Sequence, residues 1–133
     1  MTTRLRLQRA QRLLKVQEQM RGLAERDLAA NRAQTARVEA DRAAMLATLA
    51  GETMHGLFLD AAARRLRALA TEATELSATS TRLSEILKAR GLAEKRAERQ
   101  AESLLKLRDH EREQHALLEQ LDLMTARGAR PLD

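Results

Sequence analysis

The sequence predicts an all-α protein, an antiparallel two-helix coiled-coil hairpin with an overhanging second helix. Three observations carry this. The first is composition: of 58 apolar residues, 25 are Ala and 24 are Leu, while the strand-favouring types are down to two Val, one Ile and one Phe. Ala and Leu, with Arg, Glu, Gln and Lys, are the strong helix formers. The second is the scarcity of helix breakers: one Pro and five Gly in 133 residues. The third is an apolar spacing of alternating three and four residues, the mark of helices that pack against helices. With one aromatic residue, Phe58, the chain lacks the large side chains from which a compact globular core draws its burial.

Helix one is expected over about 4–49, where Gly22 is the sole breaker. An apolar stripe runs through Leu13, Val16, Met20 and Leu23, and a second through Ala24, Leu28, Asn31, Thr35, Val38, Arg42, Met45 and Leu49. The offset between them reads as a stutter. The segment 50–56 carries Gly51 and Gly56 and is the expected hinge. Helix two is expected over about 57–127. A seven-residue step passes through Leu69, Leu76, Leu83, Arg90, Ala97, Leu104, Glu111, Leu118 and Thr125, with Ile86, Ala93, Leu107 and Leu121 as companions three residues on. Such a repeat implies left-handed supercoiling against a partner helix. Arg127, Gly128 and Pro131 then give a helix stop, leaving a tail over 128–133. The span 1–133 thus reads as a single coiled-coil hairpin.

Length arithmetic sharpens the picture. Helix one is about 69 Å long and helix two about 106 Å at 1.5 Å per residue. Folding at the hinge pairs residues whose numbers add to about 106, so Arg4 is expected near Glu102. Everything from Ser103 to Arg127 then overhangs, yet it keeps Leu104, Leu107, Leu118 and Leu121 on a stripe, with Leu117 and Met124 beside it. Burying one Leu is worth roughly 1.5–3 kcal/mol, so such a stripe is a partner-binding face or the seam of a dimer. On this reading, truncation after Ala101 leaves a folded hairpin that no longer binds.

Charge is uneven. The net charge is +5, and residues 1–26 alone carry seven basic groups against Glu18 and Glu25, an excess equal to that of the whole chain. Basic groups at a helix N-terminus oppose the helix dipole, so folding gives no reason for them, whereas an acidic partner surface does. Nucleic acid is disfavoured as that partner because no aromatics stand ready to stack on bases. An interfacial membrane helix is disfavoured because no Trp or Phe lines its apolar side. No apolar run approaches the roughly 20 residues of a membrane span, and no signal-peptide apolar region follows the first basic residues. The Arg-rich start continues into the helical pattern, so a cleaved presequence is not expected.

The chemistry of catalysis is missing as well. No cysteine is present, which removes disulfides and thiolate sites and suits a reducing cytoplasm. The glycines are single, so there is no phosphate loop. His110 and His115 are five apart, the wrong spacing for a metal pair on a helix, and His115 is expected to meet Glu111. The cluster Thr71, Thr74, Ser77, Thr79, Ser80 and Thr81 lowers helix propensity and marks a softer stretch. A two-helix hairpin offers no pocket that excludes water. No enzymatic activity, cofactor or metal is expected.

The N-terminal Leu/Arg-rich segment Leu5–Val16, the Glu-rich stretch Glu111–Asp122, the chain length and the longer second helix together carry a resemblance. The chain resembles the coiled-coil stalk proteins of bacterial type III export systems, the flagellar FliJ family and the related YscO-type stalks of virulence secretion. That resemblance implies a non-enzymatic cytoplasmic protein, peripheral at the inner-membrane export apparatus, that binds the hexameric export ATPase, promotes assembly of its ring and contacts the export gate. Chaperones of export substrates are further partners of the family. Arg4, Arg6, Arg9, Arg12 and Lys15 would then face the ATPase ring, with Leu104, Leu107, Leu118 and Leu121 packing inside it. Phe58, Ala62, Leu66 and Leu69, near the start of helix two, would meet the gate, although Phe58 serves equally as a plug closing the hairpin end. Neither nucleic acid nor direct membrane insertion is expected, and a weak homodimer is compatible with the role. The reading from a different class is a self-associating coiled-coil scaffold unrelated to export.

Overall fold

The structure, a computed structural model, describes residues 2–51 and 56–128. All of them except Thr2 are helical, in α1 (Thr3–Gly51) and α2 (Gly56–Gly128). The two helices pack against each other as an all-α hairpin, with no strand among the described residues. Thr2 caps α1: its hydroxyl accepts the Leu5 amide at 3.3 Å and its carbonyl the Arg6 amide at 3.1 Å.

The expected hinge is narrower than 50–56. Ala50 and Gly51 complete α1, and Gly56 opens α2. No described residue has a positive φ, so neither glycine is used for a left-handed turn; both are tolerated in ordinary helical geometry. Gly128, expected just past the stop, closes α2 instead. Glu52–His55 and the tail from 129 onward lie outside the described residues.

The chain divides into two compact units, one made of residues 1–18 with 93–133, the other of residues 19–92. In the first, Leu7 and Ala10 of α1 bury against Ala101 and Leu104 of α2, with Leu14 packed beside them. In the second, Ala24, Leu28, Asn31 and Val38 of α1 and Ala62 and Leu69 of α2 are buried. Pairing there is antiparallel. The Gln34 amide donates to Glu72 Oε1 at 3.2 Å, the Asn31 amide to the Leu76 carbonyl at 3.4 Å, and the Arg90 guanidinium lies 3.8 Å from Met20 Sδ. These paired numbers add to 106, 107 and 110, close to the value that hairpin arithmetic requires.

Two sequence expectations about the seam are corrected. Of the first stripe, Met20 is half-buried but Leu13, Val16 and Leu23 are exposed, while Leu7, Ala10, Leu14 and Gln17 carry the buried or half-buried positions. With the half-buried Arg21 and with Ala24, Leu28, Asn31, Thr35 and Val38 these form one unbroken series of three and four, and no stutter is needed. On α2 the series Leu69, Leu76, Leu83, Arg90, Ala97 and Leu104 does face inward. Of the companions expected three residues on, Ala93 is half-buried but Ile86 and Leu107 turn outward, and the row four residues on, Ala73, Ser80, Leu87 and Ala101, is the one turned in throughout. The reason is size. Five of the ten buried apolar side chains are Ala (Ala10, Ala24, Ala62, Ala97 and Ala101). Small seam residues let two helices approach closely, and the larger side chains then fall to the margins.

Candidate protein-docking surface

The unit that holds both the start of α1 and the last turns of α2 gathers most of the expected partner-binding residues. Thr3 Oγ1 donates to Glu111 Oε1 at 2.8 Å, the furthest cross-helix hydrogen bond along α2 among the described residues. The expected pairing of Arg4 with Glu102 is thus moved outward by about two turns. The paired numbers rise from 106 at Gln34–Glu72 to 110 at Met20–Arg90 and 114 at Thr3–Glu111, so the register drifts along the helix pair. The overhang begins past Glu111, not at Ser103, and Arg112–Gly128 extends α2 by about 26 Å at the standard rise.

This relocates the four expected Leu contacts. Leu104 is 6% exposed and belongs to the interior with Leu7, Ala10 and Ala101, so it is a packing residue and not a docking one. Leu107 is 39% exposed and lies at the margin of the helix pair. Leu118 and Leu121 are 60% and 57% exposed, and Leu117, Leu123 and Met124 are as open. Leu117, Leu121 and Met124 fall at i, i+4 and i+7 and make one apolar strip, with Leu118 on its edge.

The five basic residues do not form one patch. Arg6 and Arg9 line a groove of about 380 Å³ with Ala10, Leu13, Gln100 and Leu104. Arg4 lines a different one, of about 470 Å³, with Gln8, Glu111, Arg112 and His115. Arg12 and Lys15 are exposed and border neither. At 100° per residue, Arg6, Arg9 and Arg12 share a face with Leu5, Leu13 and Val16, and Arg4 and Lys15 lie on another side. Leu5, Leu13 and Val16 are all exposed. Reading Leu13 and Val16 as seam residues hid this apolar-basic face; the signal for it was the equally good row one position over, through Leu7, Ala10 and Leu14.

The gate residues belong to the other unit and also divide. Ala62 and Leu69 are buried and Leu66 half-buried, with Leu69 at 1% exposure the most enclosed side chain described. Phe58 is 63% exposed, so it is no buried plug. It borders an apolar cleft of about 630 Å³ with Met45, Thr48, Ala61 and Arg65, floored by Ala62 and Leu69.

No group of His, Cys, Asp and Glu among the described residues could hold a metal. His115 Nδ1 lies 3.3 Å from Glu119, one turn ahead, and not at Glu111, whose carboxylate takes the Thr3 hydroxyl. His55 is outside the described residues. Thr71, Thr74 and Thr81 each donate to the carbonyl four residues back, at 3.0–3.2 Å, which is backbone satisfaction and not nucleophile activation. No described helix is long and apolar enough to cross a membrane. Compared with protein-family models, curated proteins and solved structures, the chain matches none of them.

Proposed function

We propose that the chain is a non-enzymatic coiled-coil stalk of a bacterial type III export apparatus, which binds the hexameric export ATPase and the export gate and promotes assembly of the ATPase ring. The observation that carries this reading is the exposed end of α2. Leu117, Leu118, Leu121, Leu123 and Met124 stand clear of α1 on a helix that continues well past its last described cross-helix contact. Apolar side chains on an extended helix cost solubility unless a partner covers them. The basic face of Arg6, Arg9 and Arg12 supports an acidic or carbonyl-rich partner surface beside it. In the other unit, Phe58 and its cleft offer an apolar contact for the gate. Action at the inner membrane from the cytoplasm, and service to a flagellar or a virulence system, follow from the resemblance and belong to this proposal.

Co-sedimentation with the export ATPase of the same organism tests it. The full chain is expected to bind, and Leu118→Glu with Leu121→Glu to lose binding with helix content unchanged. Equal binding by that variant would remove the α2 end from the contact. The alternative, a self-associating scaffold unrelated to export, is favoured by the groove at Arg6 and Arg9, which offers the α2 end a place on a second copy.

A further inference from the structure

We infer that two copies of the chain associate reciprocally, the end of α2 of each docking on the apolar-basic face of α1 of the other. The surfaces match in three respects. The first is charge. From Glu113 to Met124 there are three acidic residues and no Lys or Arg. Glu113 flanks the strip of Leu117, Leu121 and Met124, while Glu119 and Asp122 lie on other sides of the helix and add to its net negative charge. From Leu5 to Val16 there is no acid, and three of the four basic residues, Arg6, Arg9 and Arg12, lie on the apolar face. Opposed patches of this kind steer two surfaces together and reject a like-charged register. They also argue against tails pairing with each other, since that would set two acidic helices side by side.

The second match is apolar content. The donor helix brings Leu117, Leu121 and Met124, and the acceptor offers Leu5, Leu13 and Val16 in a strip continuous with the groove floored by Ala10 and Leu104. The third is length. Each segment has 12 residues and spans about 18 Å. Both segments belong to the same unit, at the end where α1 starts, so two copies meeting end to end can each give a tail and take one. The contact is then isologous and closes on itself at two copies. Laid parallel with their ends level, the segments bring Leu121 of one copy beside Leu13 of the other, and Met124 beside Val16.

This association stands apart from the export reading, because it needs only the chain itself. If both hold, an ATPase ring and a second copy compete for the same tail, and the dimer is the form that waits for the ring.

The test is sedimentation equilibrium of the full chain, followed by cross-linking of single-cysteine variants, which is clean because the chain has no cysteine of its own. A monomer–dimer equilibrium is expected, with its dissociation constant rising as salt screens the charges. Leu117→Glu with Leu121→Glu should abolish it. Arg9→Glu with Arg12→Glu should weaken it about tenfold or more, and adding Glu113→Arg, which flanks the docking strip, to the same chain should recover part of that loss. Mixed Leu13→Cys and Leu121→Cys chains should give an oxidised heterodimer. A chain that stays monomeric throughout, charge reversal without effect, or efficient cross-linking of Leu121→Cys to itself would each overturn the proposal. None of these outcomes bears on ATPase binding.

Discussion

At the residue scale, Leu69 and Leu118 occupy the same heptad position seven turns of the repeat apart, yet one is 1% exposed and the other 60%. Position alone therefore does not tell packing from docking; the presence of α1 alongside does. Leu69→Ala is expected to lower the unfolding free energy by about 2–5 kcal/mol, the cost of emptying an enclosed site. Leu118→Ala should stay within about 0.5 kcal/mol, as for a surface residue. Urea unfolding followed by circular dichroism separates the two, and equal effects would mean that the α2 end is packed. Asn31 is the buried polar exception. Its amide reaches the Leu76 carbonyl at 3.4 Å, and its Oδ1 has no partner. Asn31→Leu is expected to raise stability by about 1–2 kcal/mol, because a poorly satisfied polar group leaves the seam. A polar residue at such a position holds register, as one buried Asn does in coiled coils, so the variant should also lose uniqueness of pairing. Broadened amide resonances at raised thermal midpoint would show both effects.

At the scale of the element, the helices were legible from breakers and composition, and their inward faces only in part. Helix two announced its seam through Leu69, Leu76 and Leu83 because a seven-residue Leu series is hard to mistake. The companion row was misplaced because Ile86 and Leu107 look more apolar than Ala73 and Ser80, while close approach selects small side chains. Helix one failed for the same reason at Ala10, where the bulkier Leu13 drew the stripe off by one position. The consequence for truncation is direct. Ending the chain after Ala101 removes Leu104 from its packing on Leu7 and Ala10, so it should destabilise the hairpin by at least the roughly 1.5–3 kcal/mol of one buried Leu. Ending it after Ala116 removes, among the described residues, only exposed ones and should leave the thermal midpoint unchanged. Gly22 and Gly91 make the opposite case. Both lie within helices at ordinary φ, and a Cβ would meet nothing within 4 Å. Gly22→Ala and Gly91→Ala should each add about 0.8–1 kcal/mol, checked by thermal melting. No gain would point to a role for those positions beyond the helix.

At the scale of the whole molecule, charge and apolar surface act together. The basic excess near the start of α1 was legible by counting, but its division was not. Arg6, Arg9 and Arg12 share a face with exposed apolar side chains, and Arg4 and Lys15 turn elsewhere. Charge reversal at Arg6, Arg9 and Arg12 should therefore weaken partner binding and flatten its salt dependence, and reversal at Arg4 and Lys15 should do much less. Titration of binding against ionic strength distinguishes them. The α2 end was legible as a surface in search of a cover, although its start was set too early because hairpin arithmetic holds the pairing sum fixed, whereas it rises from 106 at Gln34–Glu72 to 114 at Thr3–Glu111.

On the proposed function, the exposed end of α2 engages an export ATPase. The most direct measurement is ATP hydrolysis by the purified export ATPase of the same organism, alone, with the full chain, and with the chain ending at Ala116, alongside ring size by light scattering. Faster turnover and more hexamer with the full chain, both lost on truncation, is the expected result. No change at a several-fold excess of the full chain, or equal stimulation by the truncated one, would contradict the account.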